Sequence, residues 1–177
     1  GQDAAKTYPQ GNQLNIPTLI DSLEAGNNIG LVIQDSVHEF FPGIKSATKG
    51  FSQSYLGPTI RLYKGETTRI IFRNNMADAT TTHGHGLHVE GQADGGPQSQ
   101  ILAGETKSVS LPIVQEAGTS WYHPHLMGKT AHHVHAGLAG LYIIEDENSQ
   151  NLPLPKEYGV DDIPLIVQDR SFVNGKM

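Results

Sequence analysis

Histidines dominate the chemistry that this sequence could perform. The chain has nine histidines in 177 residues, and eight of them lie between His83 and His135. Histidine is the commonest neutral metal ligand and the usual acid or base near neutral pH. The chain has no cysteine, which excludes disulfides, thiol nucleophiles and copper–thiolate centres within it. The composition therefore favours one or more sites built from imidazole nitrogens.

Four of these histidines form two pairs, each separated by a single residue: His83 with His85, and His123 with His125. Alternate residues of a strand point to the same face about 6.6 Å apart, so each pair places two imidazoles side by side. If the two strands are neighbours, four imidazoles converge on one patch. Four neutral nitrogen donors without a thiolate suit copper, zinc, nickel or iron, and disfavour Ca²⁺ and Mg²⁺.

The residues within and near the pairs carry further expectations. Gly84 allows backbone or another molecule to approach closely, and Pro124 cannot donate to a ladder, which predicts a sheet edge or a bulge there. Asp94 is most simply a turn residue. It could also be a carboxylate lying over the metal patch, and spacing alone does not separate these two interpretations.

The remaining histidines have simpler explanations. His88 is out of register with His85 and is expected to point outward or to support the site from behind. His38 is isolated, and nothing is assigned to it. A short helix is predicted from about 128 to 136, and its exposed face is the simplest place for three histidines, which are His132, His133 and His135.

The segments that must position these residues have the pattern of β-strands. Apolar or alternating runs occur at about 29–34, 60–63, 67–74, 83–89, 105–113, 120–123 and 138–145, separated by turns that contain Gly, Pro or Asn. Runs at roughly 8–12 residue spacing indicate an all-β sandwich or barrel, which we expect to be antiparallel. The helix at about 128–136 is the one clear interruption.

The length allows one domain with additions. We predict an N-terminal arm over 1–28, a β domain over 29–147, and a linker with the first strand of a following domain over 148–177. The apolar run at 163–168 has nothing downstream with which to pair. The chain therefore has the pattern of a polypeptide truncated or cleaved at the start of a second domain.

Charge and hydropathy exclude two classes of partner. The 12 Lys and Arg residues are outnumbered by 18 Asp and Glu residues, which gives a net charge of −6. An acidic chain with scattered basic residues is a poor match for nucleic acid. No apolar run approaches the roughly 18–20 residues that a membrane helix needs, so we expect a soluble chain without membrane contact.

Two stretches resemble the copper motifs of multicopper oxidases. The sequence from Thr82 to Val89, with Asp-Gly-Gly-Pro-Gln at 94–98, resembles the first motif, His-X-His-Gly. The Trp-Tyr-His-Pro-His sequence at 121–125 and Gly-Leu-Ala-Gly-Leu at 137–141 look like the second. Within the family the chain is most similar to the bacterial laccase-like cuprous oxidases of copper tolerance.

The resemblance implies a cupredoxin-like Greek-key β-sandwich that forms the N-terminal domain of a three-domain oxidase. In that family a reductant is oxidised one electron at a time at a type 1 copper, and O₂ is reduced to water at a trinuclear copper cluster. By motif position His83 resembles a type 2 copper ligand, whereas His85, His123 and His125 resemble type 3 ligands. Asp94 matches an acidic position to which the family assigns proton delivery, which O–O bond cleavage in a dry site requires.

The chain also departs from the family pattern. The type 1 copper and the other cluster histidines of the family lie in a C-terminal domain with a His-Cys-His motif, which this chain lacks. The resemblance therefore implies half of the cluster here, with activity only when cupredoxin domains 2 and 3 complete it as a continuing or separate chain. Gly84 replaces a tryptophan that is common in the first motif, and Met127 stands where a histidine is often found.

The resemblance further implies a reductant that is a small molecule such as a phenol, or a metal ion such as Cu⁺, and a periplasmic or secreted location. Three alternatives stay open. The chain could be a non-enzymatic copper-binding or copper-buffering domain, or a relative that has lost copper, as in cell-division proteins of this superfamily. A zinc hydrolase would need an open fourth coordination position with an activated water.

Overall fold

The computed structural model of the protein describes residues 14–88, 99–126 and 128–177. Within these ranges the chain forms nine strands and two short helices. The strands are β1 (Leu19–Asp21), β2 (Asn28–Phe41), β3 (Ile44–Phe51), β4 (Thr59–Tyr63), β5 (Thr67–Asn74), β6 (His83–His85), β7 (Thr106–Pro112), β8 (Gly118–His123) and β9 (Gly140–Glu145). The helices are α1 (Thr130–Ala136) and α2 (Glu147–Asn151).

The strands form two sheets that pack as a sandwich. One sheet has the order β1-β4-β9-β8-β6, and the other has the order β3-β2-β5-β7. Alternate residues of the strands are buried, as expected for sheets with one face against a core. The all-β sandwich predicted from the sequence is confirmed.

The core lies between the two sheets and contains side chains from both. Phe51 and Phe72 come from the four-stranded sheet, and Tyr122 and Tyr142 come from the five-stranded one. The ring centroid of Phe51 lies 5.0 Å from that of Tyr122 and 6.3 Å from that of Phe72. Tyr122 therefore anchors β8, the strand that ends in His123, in the centre of the sandwich.

The pairing of the strands is more mixed than the spacing indicated. Three of the seven strand pairs in the described residues, β1 with β4, β2 with β5 and β4 with β9, are parallel. Parallel neighbours need a crossover connection, and the local pattern of a strand does not show which distant strand lies beside it. The expectation of an antiparallel sandwich is therefore wrong for these three pairs.

The N-terminal part of the chain differs from the predicted arm. Residues 1–13 lie outside the described residues, whereas β1 pairs in parallel with β4 and so belongs to the sheet. The hairpin of β2 and β3 is also longer than the predicted run at 29–34. In its outer half exposed side chains alternate with partly buried ones, and polar residues are mixed among both, which weakens the hydrophobic signal in the sequence.

Along the chain, one helix precedes β9 and the other follows it. Helix α1 falls inside the predicted helical range, and α2 is an additional element. The side chain of Asp146 accepts a hydrogen bond from the backbone N–H of Ser149, and the Ser149 side chain accepts one from the backbone N–H of Asp146. This reciprocal capping box explains why so short a helix begins there.

The C-terminal segment is tied to the sandwich without joining either sheet. The Tyr55 hydroxyl donates to the Gln168 side chain, and Met177 N donates to Ser46 Oγ over 3.0 Å. The segment at 163–172 forms no strand, and Leu165 and Val167 are 72% and 87% exposed. That residues 163–168 pair as the first strand of a following domain stays a prediction. Among the described residues, no helix is long and apolar enough to cross a membrane.

Candidate metal centre

Strands β6 and β8 bring the two histidine pairs together. They pair antiparallel at one edge of the five-stranded sheet, with His83 opposite His123 and His85 opposite Trp121. The condition set by the sequence, that the two strands be neighbours, is therefore met. Pro124 lies directly after the last residue of β8, so its missing N–H interrupts no ladder bond.

The imidazoles form a compact cluster. The ring centroid of His83 lies 5.8 Å from that of His85, 5.3 Å from that of His123 and 5.2 Å from that of His125. The His123 and His125 centroids are 6.4 Å apart. Each ring is thus a neighbour of His83, which lies at the centre of the group.

The ring nitrogens are close enough to bind metal. One nitrogen from each of His83, His85 and His123 lies within 4.8 Å of the other two, and His123 Nε2 is 3.5 Å from His85 Nδ1. Metal–nitrogen bonds of about 2.0–2.1 Å allow two nitrogens on one ion to lie up to about 4 Å apart. The closest pair therefore fits a single ion, and the imidazole-only donor set suits copper or zinc.

His123 is prepared as a ligand by its surroundings. Its Nδ1 lies 2.7 Å from the carbonyl oxygen of Pro124, so Nδ1 keeps the proton and Nε2 offers its lone pair. The pKa of His123 is lowered from 6.5 to about 4, mainly by burial and also by the charges of His83, His85 and His125, whereas the hydrogen bond to Pro124 opposes the shift. At neutral pH this imidazole is uncharged and able to bind metal without losing a proton.

Packing also fixes the orientation of His123. The indole of Trp121 stacks on its ring with the centroids 3.9 Å apart and the planes at 24°. The His123 side chain is buried, whereas His85 and His125 are exposed. The cluster therefore has a rigid inner wall on the sandwich and an open outer side.

The glycine of the first pair serves the packing of the chain itself. A Cβ atom at Gly84 would lie 2.6 Å from Cδ1 of Leu87, and Leu87 is buried. The sequence predicted close approach by backbone or by another molecule. The described structure shows instead that the missing side chain makes room for Leu87 beneath the ligand strand.

Several other predicted residues fall away from the cluster. His88 is exposed, and its backbone N–H donates to Gln115 Oε1 over 2.9 Å, in line with the outward orientation expected. His38 contacts Ser54 Oγ through Nδ1 at 2.8 Å, on another part of the sandwich. Asp94 and Met127 lie outside the described residues.

The three histidines of helix α1 do not behave alike. His132 and His135 are exposed, as predicted. His133 is fully buried, so the prediction of an exposed position is wrong for it. Its ring packs beneath the helix, and Nδ1 lies 3.3 Å from Thr80 Oγ1. The sequence did not indicate this orientation, because His-His-Val-His gives no apolar stripe.

Sequence reasoning also missed the buried threonines that precede the first pair. Thr80, Thr81 and Thr82 are all buried, and Thr81 Oγ1 accepts a hydrogen bond from the backbone N–H of His125 over 2.6 Å. This bond ties the segment leading into β6 to the segment leaving β8. The three consecutive threonines directly before the first histidine pair are the sequence feature that could have indicated this structural role.

Comparison with known proteins identifies the relatives of this chain. The family model described as multicopper oxidase matches residues 33–149. The chain is 40% identical over 169 residues to the multicopper oxidase mco of Staphylococcus aureus, covering 94% of this chain and 37% of that protein. It is 38% identical over 170 residues to the cell division protein FtsP of Escherichia coli (strain K12), covering 96% of this chain and 36% of that one.

A solved structure agrees with the fold. The laccase from Pediococcus acidilactici Pa5930 superposes with a TM-score of 0.87 at 32% identity, over 97% of this chain and 38% of the laccase chain. The chain thus spans little more than a third of the length of these relatives, and its sandwich is of the cupredoxin-like kind. The matched model covers most of the chain, including both histidine pairs, and the chain therefore belongs to the multicopper oxidase family.

Proposed function

We propose that this chain supplies half of the trinuclear copper cluster of a laccase-like multicopper oxidase, which reduces O₂ to water with electrons taken from a reductant. The observation that carries the proposal is the convergence of two His-X-His pairs on one open patch at the edge of β6 and β8. Copper bound there would supply the one-electron redox chemistry that O₂ reduction needs.

The histidines of this chain would bind different copper ions of the cluster. We assign His83 as the type 2 ligand, and His85, His123 and His125 as type 3 ligands. His123 is oriented by the stacked Trp121 and by the Pro124 carbonyl. Asp94 is our candidate for proton delivery, on the strength of its position in the motif.

Two observations favour completion of the centre by another part of the polypeptide. The ligands His85 and His125 are exposed, so the patch is open on one side. A type 1 copper takes a cysteine ligand, and the chain has none. We therefore place the type 1 copper and the remaining cluster ligands in cupredoxin domains 2 and 3, outside this chain.

The reductant and the location are proposed from the family as a whole. A phenol or another small molecule, or a metal ion such as Cu⁺, would give up its electrons at the type 1 copper, outside this chain. We propose that the protein works in the periplasm or as a secreted enzyme. Four electrons and four protons are needed to convert one O₂ into two waters.

A second function is favoured by the similarity to FtsP. A relative at 38% identity is a cell division protein, so a copper-free structural role is the main competitor. The presence of histidine at both positions of both pairs favours the oxidase, because a scaffold without metal has no need of four clustered imidazoles. Copper binding without catalysis is the third outcome that an experiment must separate.

Oxygen consumption by the copper-loaded full-length protein tests the proposal. We expect copper uptake at the cluster and O₂ consumption with a phenol or Cu⁺ as reductant, measured with an oxygen electrode. Zinc-loaded protein is the control, because zinc has no redox chemistry, and it should consume none. Copper uptake without O₂ consumption would favour buffering, and the absence of copper uptake would favour an FtsP-like scaffold.

A further inference from the structure

The buried ring of His133 has one nitrogen with a partner and one without. Nδ1 lies 3.3 Å from Thr80 Oγ1, and Nε2 has no hydrogen-bond partner among the described residues. A buried N–H without an acceptor costs more than a buried lone pair without a donor. The proton therefore belongs on Nδ1, which donates to Thr80 Oγ1.

The neutral form of this ring is the stable one. Burial is the largest cause that lowers the pKa of His133 below its usual value, and the charge of Lys49 lowers it further. The Thr80 hydroxyl, having accepted from His133, donates to the backbone carbonyl of Thr81 over 3.4 Å. The hydrogen bonds thus run in one direction, from helix α1 into the threonine segment.

The threonine segment is also held from the opposite side. Backbone hydrogen bonds join Thr80 and Ile101 in both directions, at 3.0 Å and 2.7 Å. Asn74 Nδ2 donates to the same Ile101 carbonyl over 2.9 Å. Thr80 is therefore fixed between Ile101 on one side and His133 on the other.

The same segment touches both ligand pairs. Thr81 Oγ1 accepts from the backbone N–H of His125, and His83 follows Thr81 by two residues. A shift of Thr80 would move the acceptor for His125 and the start of β6 together. No other side-chain hydrogen bond among the described residues links helix α1 to this segment.

We infer that His133 is a positioning residue for the metal centre, acting through Thr80 and Thr81 to hold the His125 backbone and the start of β6 at the separation that the clustered imidazoles require. We call the contacts that join His133, Thr80, Thr81 and His125 the brace. The inference rests on the proposed function, because the metal centre is what the brace would position. The physical brace itself can be tested without metal.

The test uses variants of the full-length protein. His133→Leu removes the donor and keeps a similar volume, His133→Asn restores an N–H near the position of Nδ1, and Thr80→Val removes the receiving hydroxyl. His132→Leu, an exposed neighbour on the same helix, is the matched control. In metal-free protein the readout is hydrogen exchange of the His125 amide, followed by NMR. In copper-loaded protein it is Cu²⁺ affinity by chelator competition, with the EPR spectrum.

We expect His133→Leu and Thr80→Val to speed exchange of the His125 amide at least about tenfold. We also expect them to weaken Cu²⁺ binding by about 10–100-fold, the usual cost of losing a partner behind a ligand, with an altered EPR spectrum. His133→Asn should recover most of each effect, and His132→Leu should match the wild type. If His133→Leu does not fold, Thr80→Val decides the question.

The inference would be overturned if the His125 amide of Thr80→Val exchanged at the wild-type rate. It would also be overturned if His133→Leu folded and His133→Asn were impaired as much as His133→Leu. If the wild-type protein binds no copper, the proposed function fails, while the exchange data still decide whether the brace exists. If the wild-type protein binds copper but has no oxidase activity, the proposed reaction is wrong, whereas the positioning role of His133 is unaffected.

Discussion

Replacing His123 with alanine is expected to lower both copper binding at the cluster and O₂ consumption by the full-length protein at least about a hundredfold. Changing a residue behind a ligand typically costs 10–100-fold in metal affinity, and His123 is placed to be a ligand itself. Its Nε2 lone pair is available at neutral pH. His83→Ala should have an effect of the same size, because His83 neighbours the other three rings.

A matched control separates loss of a ligand from loss of a histidine. His88 lies three residues after His85, is exposed and is outside the cluster, so His88→Ala should keep the copper content and turnover of the wild type. Circular dichroism would establish that each variant keeps the sandwich. Near-normal turnover in either His83→Ala or His123→Ala would contradict the ligand assignment.

The second large effect is expected in the packing around Tyr122. The Tyr122 hydroxyl is buried and donates to the Pro58 carbonyl over 2.6 Å. A Cβ atom at Gly57 would lie 2.3 Å from that hydroxyl oxygen. Gly57→Ala is therefore expected to lower the free energy of unfolding by about 1–3 kcal/mol through overpacking. Tyr122→Phe alone should cost about 1–3 kcal/mol, because the Pro58 carbonyl loses its donor.

The double variant carries the stronger test. Removing the hydroxyl also removes the atom that the new methyl group meets, so Gly57→Ala with Tyr122→Phe should cost less than the sum of the two single changes. Gly30→Ala is the control, because a Cβ atom there meets nothing within 4 Å, and it should leave stability nearly unchanged. Chemical denaturation of the wild type and the four variants gives the free energy of unfolding of each. Additive costs would show that the methyl group and the hydroxyl do not compete for space.

The histidine pairs show how much of the site the sequence could predict. Strand periodicity places His83 beside His85 on one face, and that local rule holds wherever the strand lies in the sheet. The motif resemblance added the expectation that the second pair belongs to the same site. The all-β class followed from turn residues at regular spacing, and this signal too depends only on residues that are close together in the sequence.

What the sequence could not predict depends on contacts between distant segments. The burial of His133 depends on Thr80, 53 residues earlier in the chain, and no period within α1 reveals that partner. The space at Gly84 is explained by Leu87, which folds back beneath it. The parallel pairing of β4 with β9 is a property of the topology, and the alternation of residues along a single strand does not reveal it.

The most direct measurement is anomalous diffraction at the copper edge from crystals of the copper-loaded full-length protein. We predict copper peaks about 2 Å from ring nitrogens of His83, His85, His123 and His125, with the remaining ligands contributed from outside this chain. Copper bound instead at the exposed His132 and His135, or no copper beside β6 and β8, would contradict it.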